Sequence, residues 1–570
     1  MAGPIHYEVY IRRTPPSGWT LAIATEDRAH AVETAEELLG SGSAAAVRVT
    51  KETLDPETME FASVTILTQG APEPKRRRAA EEAEVASICN SPQDLYTPIG
   101  RERLSAVLED WLRRNRITVY ELLHRADLVE RLEASGVEMQ HAIQKVAVPE
   151  SQASGRKVHD LIRHYQRLAE AAVARVMTAH RREAFGDAAQ TPLAEIADRL
   201  AGRPDAAFLM GGTLCRATAA GAGPSERLGL LMDMADRAPA EGPGRDLVLG
   251  QIEQFLSDIT AQPTGLAGIL GPGLTPGAAL TAIVRMCAPH EVEALIRAEP
   301  RMGQMIPAVD GPAGRLALRL AAGQFPALAR ALSRMVLREL AGTKRLQPGD
   351  AQGEIAVLRA LAAALTAATG RLVTAEEVQE AFIERSQMLV TADFVGACTA
   401  GLETTLQEVE SLTRLCENVT GGANKRAAAR WLSASVTSLR FETEMRAPGV
   451  HPIQKLAVLA GLQRSVRACH FSETDQEAVL NAIGVLGGQI EADARLVALM
   501  ARAEAPPPQK IAALLRLAAG QTAPLGPAAD RAKAEALRLM RTPEARTSLA
   551  QATDILPEIR GLMKTAGLAA

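Results

Sequence analysis

The chain has 570 residues, 47% hydrophobic and 23% charged, which gives ample apolar surface for folded domains and excludes global disorder. Its 63 basic and 67 acidic residues leave a net charge of -4, so it is no polyanion binder working through overall charge, and any anionic partner must meet a local patch. Only 3% of the residues are aromatic; a core of Ala, Leu, Val, Ile and Met instead favours closely approaching helices, as in bundles and helical arrays.

The first 69 residues read as a small ββαββ (α+β) domain. Strand-like runs at 6–12 and 19–25 flank a Pro-Pro-Ser-Gly turn at 15–18. A helix is expected from Asp27 to Leu39, stopped by Gly40, and then a second strand pair at 45–52 and 61–68 around an Asp-Pro turn at 55–56. Such a sheet buries one face against its single helix.

Residues 70–97 read as a charged linker, Pro-rich at first and then carrying the run Lys75, Arg76, Arg77 and Arg78. From about Pro98 onward periodic apolar residues imply a large all-α region without strands. A helical bundle is expected over 98–190, helical hairpins over 191–345, a further helical region over 346–446 and hairpins again over 447–570. Gly/Pro clusters at 221–224, 239–244, 270–277, 346–353, 447–452 and 505–508 mark the turns.

One helix-start signature recurs. PSERLGLLMDM from Pro224, PIQKLAVLAGL from Pro452 and PPQKIAALLRL from Pro507 share a proline, then Gln or Glu, then Lys or Arg, then apolar residues three apart. Proline at the first helical position gives up no useful N–H, the Gln or Glu can reach back to free amides, and the apolar spacing makes one buried stripe. A looser copy starts at Pro276. Pro276 follows Pro224 by 52 positions and Pro507 follows Pro452 by 55, intervals that fit a helical-hairpin repeat of variable loop length. The same residues also fit bundles in series.

The sequence motifs point away from familiar chemistry. Gly211-Gly212, Gly221 to Pro224 and Gly421-Gly422 lack the spacing of a phosphate-binding loop and read as helix-ending turns. His290-Glu291 resembles the start of a zinc-binding helix, but Ala294 stands where the second histidine belongs. Cys469-His470 places thiol and imidazole side by side, about 100° apart on a helix. Thr374 with Glu377, and Thr474 with Glu477, fit capping boxes. Cys89, Cys215, Cys287, Cys398, Cys416 and Cys469 show no regular spacing and read as reduced core thiols. The start resembles no signal peptide, and the most apolar stretch, Leu266 to Val284, is broken by Pro272 and Pro276 into a helix-loop-helix corner. A cytoplasmic protein with no membrane span and no cofactor is expected.

The most distinctive surface is a helix over 156–182, where Arg156, Lys157, Arg163, Arg167, Arg175, Arg181 and Arg182 outnumber Asp160 and Glu170 and lie mostly opposite one apolar face. Together with 75–78 these are the candidate partner-binding residues. The helices over 104–136 resemble a helix-turn-helix, but their acids would repel phosphates. The preferred expectation is a non-enzymatic interaction, scaffold or regulatory protein with a protein partner, acidic by charge complementarity. The alternatives are an α-helical enzyme whose site gathers distant residues, and a nucleic-acid binder acting through 75–78 and 156–182.

Overall fold

A computed structural model of the protein describes residues 5–12, 20–41, 43–54, 61–70, 89–552 and 554–568. The chain divides into two compact units, Met1–Gly100 with Ile143–Ala169, and Arg101–Ala142 with Glu170–Ala570.

The first unit holds a four-stranded antiparallel sheet of β1 (Ile5–Arg12), β2 (Thr20–Thr25), β3 (Ala46–Leu54) and β4 (Phe61–Gly70), in the order β2-β1-β3-β4. One helix, α1 (Arg28–Gly40), crosses it. The expected ββαββ order holds, and Asp27 caps α1 by accepting bonds from the amides of Ala29 and His30. The turns at 15–18 and 55–56 lie outside the described residues, as do Lys75, Arg76, Arg77 and Arg78. Strand alternation sends Val9 and Ile11 of β1 and Val47 and Val49 of β3 into a core with Ala31 and Ala35 of α1. The other face is polar but only partly wet: Arg12, Thr50 and Glu52 are buried, and the register sets Glu8 opposite Thr50 and His6 opposite Glu52. Burial and a hydrogen bond to Glu8 push the Tyr10 hydroxyl up to about 12. The linker region closes in a 3-10 turn, Pro92–Tyr96, where Asp94 accepts from the amides of Asn90 and Ser91 and Leu95 is buried.

The second unit is helical throughout its described elements. Its principal helices are α2 (Pro224–Asp236), α3 (Pro243–Ala261), α4 (Pro276–Cys287), α5 (Pro326–Ala341), α6 (Ala351–Ala367), α7 (Ala375–Leu389), α8 (Thr405–Asn418), α9 (Gly422–Val436), α10 (Pro452–Ala468), α11 (Glu473–Ala494), α12 (Pro507–Ala518) and α13 (Pro527–Met540). Consecutive members pack as antiparallel-type hairpins: α2 with α3, α6 with α7, α8 with α9, α10 with α11 and α12 with α13. The hairpins then stack. One row runs α4, α6, α8, α10; the other runs α3, α5, α7, α9, α11, α13. The 175 positions between Pro276 and Pro452, which carry no copy of the signature, are thus occupied by helices of the same two rows. A continuous two-row array replaces the alternative of bundles in series.

All four proline starts are real first-turn prolines. The apolar stripes face inward: Leu228, Leu231 and Met234; Leu456, Leu459 and Leu462; Ile511, Leu514 and Leu517 are all buried. Glu226 does reach back, accepting from the amide of Ala222 at 2.7 Å. In two of the three strict copies the basic member of the signature has a role the sequence did not disclose. Arg227 is buried and donates to the Gly221 carbonyl at 3.2 Å, and Lys455 is buried and donates to the Ala447 carbonyl. Each cation ties its helix to the turn before it.

Three sequence expectations are corrected. Gly211-Gly212 lies inside helix Ala206–Thr218 and does not end it; a Cβ on Gly212 would sit 2.1 Å from the Phe185 ring, so the glycines permit close packing. The cap of α11 is Ser472, whose hydroxyl accepts from the Asp475 amide, because the helix begins earlier than a Thr474 cap requires. The basic helix is shorter than 156–182: it spans Val158–Arg181, preceded by helix Glu138–Ser154. The capping box at Thr374 and Glu377, the corner at 270–277 and the helix start at Pro289 stand as read.

One lock in the array is a buried arginine with a buried carboxylate nearby. Arg385 of α7 has no solvent exposure and donates to the carbonyls of Leu340 (2.7 Å), Lys344 (2.8 Å) and Glu339 (3.0 Å) at the end of α5. Glu354 of α6, also fully buried, lies 3.7 Å away and is bonded by Arg345. Removing one partner of such a pair leaves an uncompensated buried charge. Arg385→Met is expected to cost ~3–5 kcal/mol in urea unfolding and to speed amide exchange in Pro326–Ala341; a cost below ~1 kcal/mol would show that these bonds do not hold the row together.

Candidate functional site

The basic candidates fall in different settings. Within the first unit, Arg156 approaches Glu150 at 3.9 Å, Arg163 is paired with Asp160 at 2.6 Å, and Arg167 donates to the Arg163 carbonyl at 3.3 Å. Arg156 and Lys157 precede the helix. Within the second unit, Arg181 donates to the Met177 carbonyl and Arg182 is exposed, but Arg175 is not on the outer face as expected: it is half-buried, its guanidinium 4.1 Å above the Phe208 ring. The reason is that residue 175 sits on the flank of the apolar stripe, where a long side chain can lie along an aromatic surface. Several of the charges counted from sequence are therefore already engaged.

That cation closes a column of rings. Phe255 of α3 stacks on Tyr120 at 4.7 Å, Tyr120 lies 4.6 Å from His124, and His124 lies 5.5 Å from Phe208. Phe185 meets Phe208 edge-on at 5.4 Å. In a chain with nine Phe and five Tyr, this concentration is the main aromatic packing of the second unit. Gly211 makes room for it, since a Cβ there would stand 2.4 Å from His124 Nε2.

Around the column runs a buried polar network. Arg101 pairs with Asp258 at 2.9 Å and donates to Gln254; Asp258 accepts from the Tyr120 amide at 2.8 Å; the Tyr120 hydroxyl donates to Gln251 at 2.9 Å. Glu121, capped against Thr118, receives Arg227 at 3.0 Å, and Arg227 also donates to the Arg116 carbonyl at 2.7 Å. This is the region whose sequence resembles a DNA reader; here Glu121 is an internal anchor for α2. Burial pushes Tyr120 and Cys215 well above their ordinary values and raises Asp258, against the opposing pull of Arg101. Perturbed groups clustered in this way can mark catalysis. In this cluster, however, the polar atoms bond one another across four chain segments and lie beneath the surface, so the arrangement acts as a joint between the 101–134 helices and α2–α3.

A solvent-open groove of about 480 Å³ lies between α8 and α10. Glu410, Thr413, Arg414 and Glu417 form one wall; Val458, Gly461, Leu462, Arg464 and Ser465 form the other. Gly461 leaves the second wall low, and no ion pair engages Glu410, Arg414 or Glu417 among the described residues. Sequence reasoning missed this groove because neither helix carries an unusual motif; only the stacking of two hairpins creates it. Among the described residues no group of three or more His, Cys, Asp and Glu is placed to hold a metal ion, and no helix is long and apolar enough to cross a membrane. Compared with family models, curated proteins and solved structures, the chain matches none.

His124 offers a direct test of the joint. Its Nδ1 donates to the Tyr120 carbonyl at 2.7 Å, and burial lowers its imidazole from an ordinary 6.5 to about 4. The unfolded chain therefore takes up a proton that the folded chain refuses. Stability is fully present above pH 6.5 and falls as pH drops toward 4, by about 3 kcal/mol for this group alone. Urea midpoints measured across that window should fall for the native chain and flatten for His124→Gln; parallel slopes would remove His124 from the account.

Proposed function

We propose that the chain is a non-enzymatic interaction protein, with the hairpin array as its binding surface and the α8–α10 groove as the contact for a protein segment. The observation that carries this reading is the groove itself. Its walls set the apolar Val458 and Leu462 against charges of both signs that remain available to a partner, Glu410, Arg414 and Glu417. Extended surfaces between stacked helical units are where such arrays hold ligands. The mixed charge suits a partner segment of alternating sign, so the acidic partner expected from the basic residues alone gives way to a protein partner chosen by register. The engagement of Arg163, Arg156 and Arg175 within the fold supports the same shift.

Two variants test it. Gly461→Trp fills the groove and Glu410→Arg reverses one wall, while both leave the buried stripe of α10 in place. Quantitative affinity capture with the full chain is expected to show a defined partner lost at least tenfold from both variants, with unchanged helical circular dichroism. Equal recovery from native and variant chains would sink the groove reading.

A further inference from the structure

Three guanidinium groups line a solvent-open pocket of about 470 Å³ that shares no residue with the α8–α10 groove. Helix Gly311–Ala321 packs on α2 and buries Leu316 and Leu320, and the i, i+4 spacing of Arg315 and Arg319 sets both on one edge of it. Both are positioned by the fold. Arg315 donates to Asp233 at 2.7 Å and to Asp236 at 2.5 Å, and Arg319 donates to Asp236 and to the Gln324 side-chain oxygen at 2.6 Å. With its oxygen accepting from Arg319, Gln324 keeps its NH2 as a further donor at the pocket wall.

The third cation, Arg245, comes from the first turn of α3, where a positive charge meets the unfavourable pole of the helix dipole. Among the described residues its side chain bonds only the Pro239 carbonyl, at 3.0 Å, and enters no ion pair. The lining thus sets three guanidiniums against one carboxylate, Asp236, and even with Asp233 beside Arg315 the cations stay in excess. Side chains of Asp233 and Asp236 are 50% and 57% exposed, so their pairs with Arg315 are weak in water and yield to an oxyanion that engages several donors at once. Leu318, 63% exposed, adds an apolar flank to the same pocket.

The geometry points to a binding seat for a phosphate dianion, carried as the head group of a small phosphomonoester whose organic part lies along Leu318. A phosphoryl group brings nearly two negative charges and three acceptor oxygens, enough to take Arg245, Arg319 and the Gln324 amide together. A carboxylate brings one charge and two oxygens. The pocket volume falls within the range of roughly 300–1,000 Å³ that small-molecule sites occupy. Inorganic phosphate offers the same head group without the apolar part, so affinity separates the two sources.

Isothermal titration calorimetry of the full chain at low salt, with phenyl phosphate, inorganic phosphate and benzoate as probes, tests the seat. Phenyl phosphate is expected to saturate at one per chain, more tightly than inorganic phosphate and about tenfold more tightly than benzoate. Arg245→Gln should weaken it about tenfold with unchanged helical circular dichroism. Leu318→Glu, at an exposed position, sets a carboxylate beside the head group and should weaken binding similarly, which keeps the test open if Arg245→Gln misfolds. No saturation by either phosphate compound, benzoate binding as tightly as phenyl phosphate, or full affinity in the folded variants overturns the inference. Inorganic phosphate matching phenyl phosphate overturns the ester and assigns the seat to the free ion.

Discussion

Every α-helix ends with carbonyls that its own backbone cannot satisfy, and an array of hairpins multiplies such ends and buries many of them. In this protein the repeated solution is a cation from a neighbouring helix. Arg385 closes the end of α5, Lys425 joins the ends of α8 and α10, and Lys455 of α10 reaches the Ala447 carbonyl at the end of helix Leu439–Arg446. A positive charge at that end of a helix also meets the favourable pole of its dipole. The bonds run between rows and between successive hairpins, so they set the spacing that apolar packing alone, with few rings and many alanines, leaves loosely specified.

The same constraint explains where the polar interior lies. At the N-terminal side of the array the chain from 101 to 134 is short-helical, with little apolar area per helix, and it is joined to α2 and α3 by Arg227, Arg101 and the ring column. Buried polar joints of this kind specify one arrangement over others, at the cost that a half-satisfied network is worse than an apolar one. Further along, where α8 to α13 are longer and regular, single cations suffice.

Much of the scaffold was legible in the sequence because its signals are local. Proline at a helix start, apolar residues three apart, Asp27 before a helix and alternation in β1 and β3 act through neighbours within one turn or one strand pair. What was illegible depends on partners distant in the chain. Arg227 reads as an ordinary first-turn charge until Glu121 and the Arg116 carbonyl are brought to it, and Arg175 reads as an outer charge until Phe208 lies beneath it. Gly211-Gly212 looks like a breaker because nothing in the sequence shows the rings of Phe185 and His124 pressing on that helix. The groove belongs to the same class: each wall is unremarkable, and the juxtaposition of α8 with α10 creates it.

A tie from a side chain to a main-chain oxygen has a lopsided genetics. The acceptor is present whatever residue occupies Glu339, Lys344 or Ala447, so drift at those positions leaves the bond chemically intact, whereas the donor tolerates almost no exchange. Variation along this array should therefore be uneven, with a few immovable Arg and Lys among many interchangeable neighbours, and a hairpin could be duplicated or lost without inventing new acceptors for the one that follows.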